Sequence, residues 1–313
     1  MKHCLLGILA CLLLAGCAPA EPPAEAEDGR LQIVATVFPA YDFARSCASG
    51  LANVTLLLPP GMESHSYEPT PADILAVQSC DLFLCLGGES DAWVDTILSA
   101  VEPSGQVLRM MDCVELLEEV DHDGHDHEDH GPGEVVGMDE HVWTSPRNAA
   151  AITRAIGEQL AELDSAHAAA YRSGAEEYAQ ALELLDGEFQ DFFASGDLPP
   201  LVFGDRFPLL YFAERYDLEY YAAFPGCATQ TEPSAATVAF LTEKVQTEQI
   251  PTVWYLEFSN HLVADSIAEA AGAGTAMFHT CHNVTKAELD SGATYLSLMG
   301  ENLERLRQNL APQ

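Results

Sequence analysis

From Leu31 onward the chain alternates short apolar runs with longer segments whose apolar residues recur at helical spacing. The runs that predict strands are 31–37, 53–58, 81–86 and 106–110 in the first half, and 201–203, 219–222, 252–256 and 275–278 in the second. Helical pattern covers 40–49, 71–79 and 91–100 among the first set, and 208–216, 233–248, 260–271 and 293–310 among the second. Strand and helix in strict turn predict parallel sheets covered by helices. The fold class expected is therefore α/β, built as two doubly wound βα lobes.

The join between the halves carries its own pattern. Residues 146–163 read as one helix, with Ser145 as cap and Pro146 in the first turn. Residues 165–194 are dense in Ala, Glu, Leu and Gln, with Leu182, Leu185 and Phe189 at helical spacing. One helix there would be about 45 Å long at ~1.5 Å per residue, too long to hide inside either lobe. It is expected to run along both as a rigid backbone, with little lobe motion. Gly174 and Gly187 count against it locally. The boundaries that follow are 31–164 for the first lobe, 165–195 for the linking helix and 196–313 for the second lobe.

Composition changes the picture through charge. The 313-residue chain has 49 acidic and 13 basic residues, a formal net charge of −36. Such a surface repels nucleic-acid phosphates and concentrates cations, so a nucleic-acid partner is excluded. Lys2 and the apolar run 5–15 have the form of an export signal. That run ends in Leu14-Ala15-Gly16-Cys17, which resembles a bacterial lipobox, so residues 1–16 are expected to be removed and Cys17 lipidated. Residues 17–30, rich in Pro, Glu and Ala, suit a flexible tether between that lipid and a folded body. The expected location is extracytoplasmic, anchored to a bacterial cell membrane. Of the cysteines beyond the export segment, Cys47, Cys80, Cys85 and Cys113 read as small core residues. Cys227 and Cys281 both follow strand ends, which leaves a disulfide between them open.

Residues 121–130 are different in kind, with His122, His125, His127 and His130 interleaved with carboxylates and no apolar anchor. Imidazole and carboxylate both bind divalent metals when deprotonated. A loop that must be ordered on each binding event should hold several ions weakly and exchange them fast. A tight site needs dispersed ligands on a scaffold. His65 lies in a loop between strand and helix, where open α/β sheets place their ligands.

Around it, Gly61, His65, Glu68, Pro69 and Asp73 form a pattern that resembles the first ligand motif of the metal-specific solute-binding lipoproteins of ABC transporters. Met138-Asp139-Glu140-His141-Val142-Trp143-Thr144-Ser145-Pro146 resembles that family's second motif, and the intervening His-rich loop matches its zinc-type members. The resemblance covers the chain from the lipobox to its end. It implies a metal site in the cleft between two lobes, with His65 and His141 as ligands from the first. In the second lobe the chain departs from the pattern. Phe203-Gly204-Asp205-Arg206-Phe207-Pro208 has no His, and Arg206 falls about where one is expected, so Asp205 is the competent ligand there. Phe278-His279-Thr280-Cys281-His282-Asn283 stands where a late carboxylate is usual, and His279 at the strand end is taken as the fourth ligand. His282 could replace or join it, and Glu257 could add a carboxylate or orient a His ring.

Three imidazoles and one carboxylate suit Zn2+ in a tetrahedral site, whereas a Mn2+ carrier would show more oxygen donors. The resemblance thus implies a monomer that captures zinc and passes it to an ABC transporter permease. A manganese-carrying homologue and a metal-storing or adhesive surface lipoprotein are the alternatives. A zinc hydrolase is disfavoured by the lack of a His-Glu-x-x-His helix or Gly-x-Ser-x-Gly elbow. Deletion of residues 121–130 is expected to leave one tight site intact and to lower the number of weakly bound ions, read by metal titration. Loss of the tight site would show that the loop supplies a cleft ligand.

Overall fold

The computed structural model describes residues 29–64, 67–88, 91–101, 103–121, 134–196, 198–224 and 233–310. In the first lobe β1 (Leu31–Ala35), α1 (Phe38–Ala48), β2 (Ala52–Leu56), α2 (Pro71–Ser79), β3 (Leu82–Cys85), α3 (Ala92–Ala100) and β4 (Gln106–Arg109) follow one another. The strands pair in parallel in the order β2-β1-β3-β4. β3 is Leu-Phe-Leu-Cys and buried at every position, while edge strand β2 exposes Thr55. A central strand covered on both faces has no place for polar alternation, which is why these runs are continuously apolar. α2 starts on a capping box: the Thr70 hydroxyl accepts the Asp73 N–H at 3.3 Å and the Asp73 carboxylate accepts the Thr70 N–H at 2.7 Å.

A hairpin of β5 (Glu118–Asp121) and β6 (Glu134–Met138) follows, then a 3-10 turn at Val142–Thr144, α4 (Pro146–Leu163) and α5 (Ala168–Ala194). The second lobe comprises β7 (Leu201–Phe203), α6 (Leu210–Tyr216), β8 (Tyr220–Ala222), α7 (Ala235–Thr247), β9 (Thr252–Leu256), α8 (Leu262–Ala271), β10 (Gly274–Phe278), α9 (Lys286–Asp290) and α10 (Tyr295–Leu310). Its strands are parallel in the order β10-β9-β7-β8. The expected strands and longer helices are present to within a few residues. The hairpin and α9 were not expected, because β5 is a polar tetrapeptide and α9 a single amphipathic turn and a half. The His-rich residues His122, His125, His127 and His130, together with His65, Cys17 and Cys227, lie outside the described residues.

α5 packs on α1 and α4 on one side and on α6 and α10 on the other. Gly157 and Gly174 are required by these contacts, whereas a Cβ on Gly187 would meet nothing within 4 Å. A Cβ on Gly157 of α4 would lie 2.3 Å from the Ala175 Cβ, and one on Gly174 of α5 would lie 2.8 Å from the Cys47 carbonyl oxygen. Hydrogen at these positions lets three helices approach at backbone distance. One apolar core then runs from Ile33, Phe43 and Leu84 through Trp143, Ile156 and Tyr171 to Phe212, Trp254, Phe278 and Tyr295. Leu31–Gln313 accordingly forms one compact unit whose lobes share that core. The outer faces of the two sheets bury smaller clusters around Val34 and Phe83 and around Val202 and Val253.

Each sheet has its topological switch where crevices open at the carboxyl ends of strands: between β1 and β3 in the first lobe, and between β7 and β9 in the second. Both are marked by a buried aspartate. Asp205 follows β7, and its Oδ2 accepts the Leu256 N–H of β9 at 3.2 Å. Gly204 precedes it because a Cβ there would fall 2.3 Å from the Ala264 Cα of α8. At the first switch Asp91 Oδ2 accepts the Leu86 N–H at 2.5 Å and the Thr36 hydroxyl at 3.5 Å. Burial pushes the Asp91 carboxyl up to about 7; the Leu86 N–H opposes the rise and the Glu140 charge adds to it. The folded protein thus holds a proton that the unfolded chain releases near pH ~3.9, so this group lowers stability as pH rises from about 4 to 7. Denaturant unfolding at pH 5 and pH 8 is expected to show a smaller loss of stability across that interval in Asp91→Asn than in wild type. An identical loss in both would remove Asp91 from the account.

Candidate metal centre

His141 is delivered by the hairpin. The Tyr211 hydroxyl of α6 accepts the Leu117 N–H at 3.1 Å and donates to the Asp139 carbonyl at 2.8 Å, so a second-lobe side chain clamps the base of β5 and β6. His141 follows at the start of the 3-10 turn and is 2% exposed. Its N–H donates to Asp139 Oδ1 at 2.8 Å, and its ring Nδ1 stands 3.3 Å from the same oxygen. A carboxylate that close to one imidazole nitrogen restrains the orientation of the ring.

His282 meets it from the second lobe. Its ring centroid lies 6.0 Å from that of His141 and 5.1 Å from that of Trp143, in both cases edge to face. Two imidazoles on one tetrahedral zinc, with Zn–N of ~2.0–2.1 Å, place their centroids about 5 Å apart, a spacing close to that of this pair. Trp143 holds the wall between the lobes. Its indole N–H donates to the Thr280 carbonyl at 2.9 Å, and its own carbonyl accepts the Tyr295 hydroxyl at 2.6 Å.

His279, the ligand expected from sequence, is turned into the second lobe. Asn302 grips both sides of its backbone, accepting the His279 N–H at 2.8 Å and donating to its carbonyl at 2.7 Å. The ring is fully buried, and its Nδ1 accepts the Cys281 N–H at 2.9 Å. A nitrogen that accepts an N–H in this way has its lone pair engaged and does not offer it to a metal. Nε2 points towards Glu288, 3.7 Å away; the His279 ring and the Thr285 N–H and hydroxyl hold that carboxyl down to about 2. Cys281 then reverses the chain with φ of 62°, which brings His282 out on the opposite side. Cys281 itself is a free, buried thiol.

The two carboxylates expected near the metal have separate tasks. Asp205 is 8% exposed, with Oδ1 accepting the Arg206 N–H at 2.8 Å and Oδ2 the Leu256 N–H, which leaves each oxygen a further lone pair for a cation. Arg206 does not pair with it; its guanidinium reaches Glu63 of the first lobe at 3.2 Å. Glu257 acts on the turn: Oε2 accepts the Thr280 N–H at 2.9 Å and Oε1 the Thr280 hydroxyl at 2.6 Å. The same hydroxyl accepts the His282 N–H at 3.2 Å, so Glu257 sets His282 through Thr280. Among the described residues no three His, Cys, Asp or Glu side chains form a complete metal cage; His65 lies outside them.

Two doubly wound lobes on a helical backbone, with histidines of both lobes meeting between them, are the architecture of a two-lobed solute-binding protein. The chain belongs to the family described as zinc-uptake complex component A, periplasmic, which matches residues 33–309. It is 30% identical to the high-affinity zinc uptake system protein ZnuA of Bacillus subtilis, over 98% of this chain and 97% of that protein. It is 29% identical to the zinc-binding lipoprotein AdcA of Streptococcus pneumoniae over 97% of this chain but 60% of AdcA, so it spans about three fifths of that relative. The Zn(II)-bound ZnuA-like domain of S. pneumoniae AdcA superposes with a TM-score of 0.74 at 26% identity, covering 91% of this chain and 100% of the domain. The metal-dependent lipoprotein YcdH of B. subtilis superposes with a TM-score of 0.75 at 26% identity, over 90% and 100% of the two chains.

Glu257→Gln places an amide N–H2 against a donor-rich turn and is expected to weaken metal affinity by roughly 10- to 100-fold, the usual effect of losing a partner that orients a ligand. Competition against a chelator measures it; unchanged affinity would show that the Thr280 relay does not set His282.

Proposed function

We propose that this chain captures zinc outside the cytoplasm and delivers it to an ABC transporter permease, anchored to the membrane by a lipid on Cys17. The observation that carries the reading is the His141–His282 pair, drawn from opposite lobes with ring centroids 6.0 Å apart. The ligand set proposed is His65 and His141 from the first lobe with Asp205 and His282 from the second. His282 replaces His279 because the His279 lone pair is spent on the Cys281 N–H. Three imidazoles and a carboxylate keep the donor chemistry of a four-coordinate zinc site. The named zinc-binding relatives support the choice of metal, and the acidic chain supports gathering of cations before capture.

Binding would draw ligands of both lobes onto one ion. Because the lobes already share a core along α4 and α5, capture needs movement of loops and rings more than of lobes. A closed shell of four ligands releases zinc slowly, so delivery requires the permease to disturb the shell. Imidazoles must be neutral to ligate, so affinity should fall below about pH 6.5.

Competitive titration of the mature protein against a zinc chelator, with manganese in parallel, tests the reading. One tight zinc site per chain is expected, weakened by at least the 10- to 100-fold typical of an outer-shell loss in His141→Ala and His282→Ala, and kept in His279→Gln. No tight zinc site in wild type would end the transport reading. Loss of binding in His279→Gln with retention in His282→Ala would return the ligand to position 279.

A further inference from the structure

The two halves of the proposed shell are tied together by backbone and amide groups that need no metal. His282, Asn283 and Val284 each grip the first lobe. The His282 carbonyl accepts the Phe38 N–H at the start of α1 at 3.3 Å, and the Val284 carbonyl accepts the Gly61 N–H at 2.8 Å. Between them Asn283, 2% exposed, donates through Nδ2 to two carbonyls of one loop, Pro59 at 2.8 Å and Met62 at 2.9 Å, while its Oδ1 accepts the Val284 N–H at 2.8 Å. Those carbonyls bracket Gly61, which turns the loop with φ of 81°. Residues 59–64 then run directly into His65.

We propose that Asn283 is a positioning residue that presets the loop leading to His65 against the turn that carries His282. The inference rests on the ligand reading above. Among the described residues, the groups tying the same loop to the second lobe differ in weight. The Arg206–Glu63 ion pair is exposed on both sides, at 34% and 47%, where screening and side-chain entropy leave it little effect. The Gly61 N–H to Val284 carbonyl bond holds one point of the loop. Asn283 holds two points from a buried amide, and a buried donor left without its acceptors is costly, so its geometry is the more strongly enforced. With the loop held in advance, zinc binding does not have to order it, and the saving in chain entropy appears as slower release.

Asn283→Asp keeps the shape and removes both donors; Asn283→Ser removes the reach. Two measurements are needed: zinc release from the loaded protein to a chelator in a stopped flow, and amide hydrogen exchange over residues 61–64 in the metal-free protein. Roughly 10-fold faster zinc release, as for other residues that orient ligands, is expected with protection of 61–64 lost while the metal-free protein stays folded. Release at the wild-type rate, or protection of 61–64 retained in a folded variant, would overturn the proposal. So would failure of both variants to fold, which would make Asn283 a residue of the fold and not of the site. If wild type itself holds no tight zinc, the functional reading falls, and the exchange measurement still decides whether Asn283 presets the loop.

Discussion

Close packing of α5 against α1 and α4 sets the geometry on which the rest of the molecule depends. Gly157 and Gly174 give up helix propensity, and in exchange three helix backbones approach within a distance that a single methyl would block. The apolar core that results continues from one sheet to the other without a polar break. Lobes joined in this way cannot open on a flexible strand. Any site between them must form from loops that already face each other.

Buried polar groups set where those loops lie. Asp42 of α1 shows how strongly: fully buried, it accepts the Tyr178 hydroxyl at 2.6 Å, the Tyr295 N–H at 2.8 Å and the Arg45 guanidinium at 2.8 Å. Burial raises its pKa while these donors pull it back, and through them α1, α5 and the start of α10 meet at one carboxylate. Trp143, Tyr211 and Tyr295 do the same at the cleft with aromatic bodies and polar tips. His141, the proposed ligand of the first lobe, therefore sits in a wall whose hydrogen bonds end largely in the second lobe.

In the second lobe the two faces of one turn divide the chemistry. Towards the core, the His279 ring accepts the Cys281 N–H and its backbone is clamped by Asn302. Towards the first lobe, His282 stacks its edge on Trp143 and His141, and Glu257 steadies it through Thr280. A chain of this acidity attracts cations everywhere on its surface; what distinguishes the cleft is the convergence of imidazoles with fixed rings.

The sequence by itself determined the architecture. Alternation of apolar runs with 3.6-residue periodicity is a local property, so the parallel sheets, the helix over 168–194 and the capped start of α4 were legible before any coordinates. It also singled out short segments that the fold brings together, since Asp205 and Glu257 follow adjacent strands at a switch point. It could not resolve residues within those segments. His279 and His282 are both imidazoles just after β10, and spacing alone does not separate them. Asn302, twenty-three positions on, and the left-handed turn at Cys281 decide which ring goes inward. Arg206 likewise read as a neighbour of Asp205, yet its partner Glu63 lies 143 positions away. Such choices belong to tertiary structure because each is made by a hydrogen-bond partner distant in sequence, and no local pattern encodes where that partner will stand.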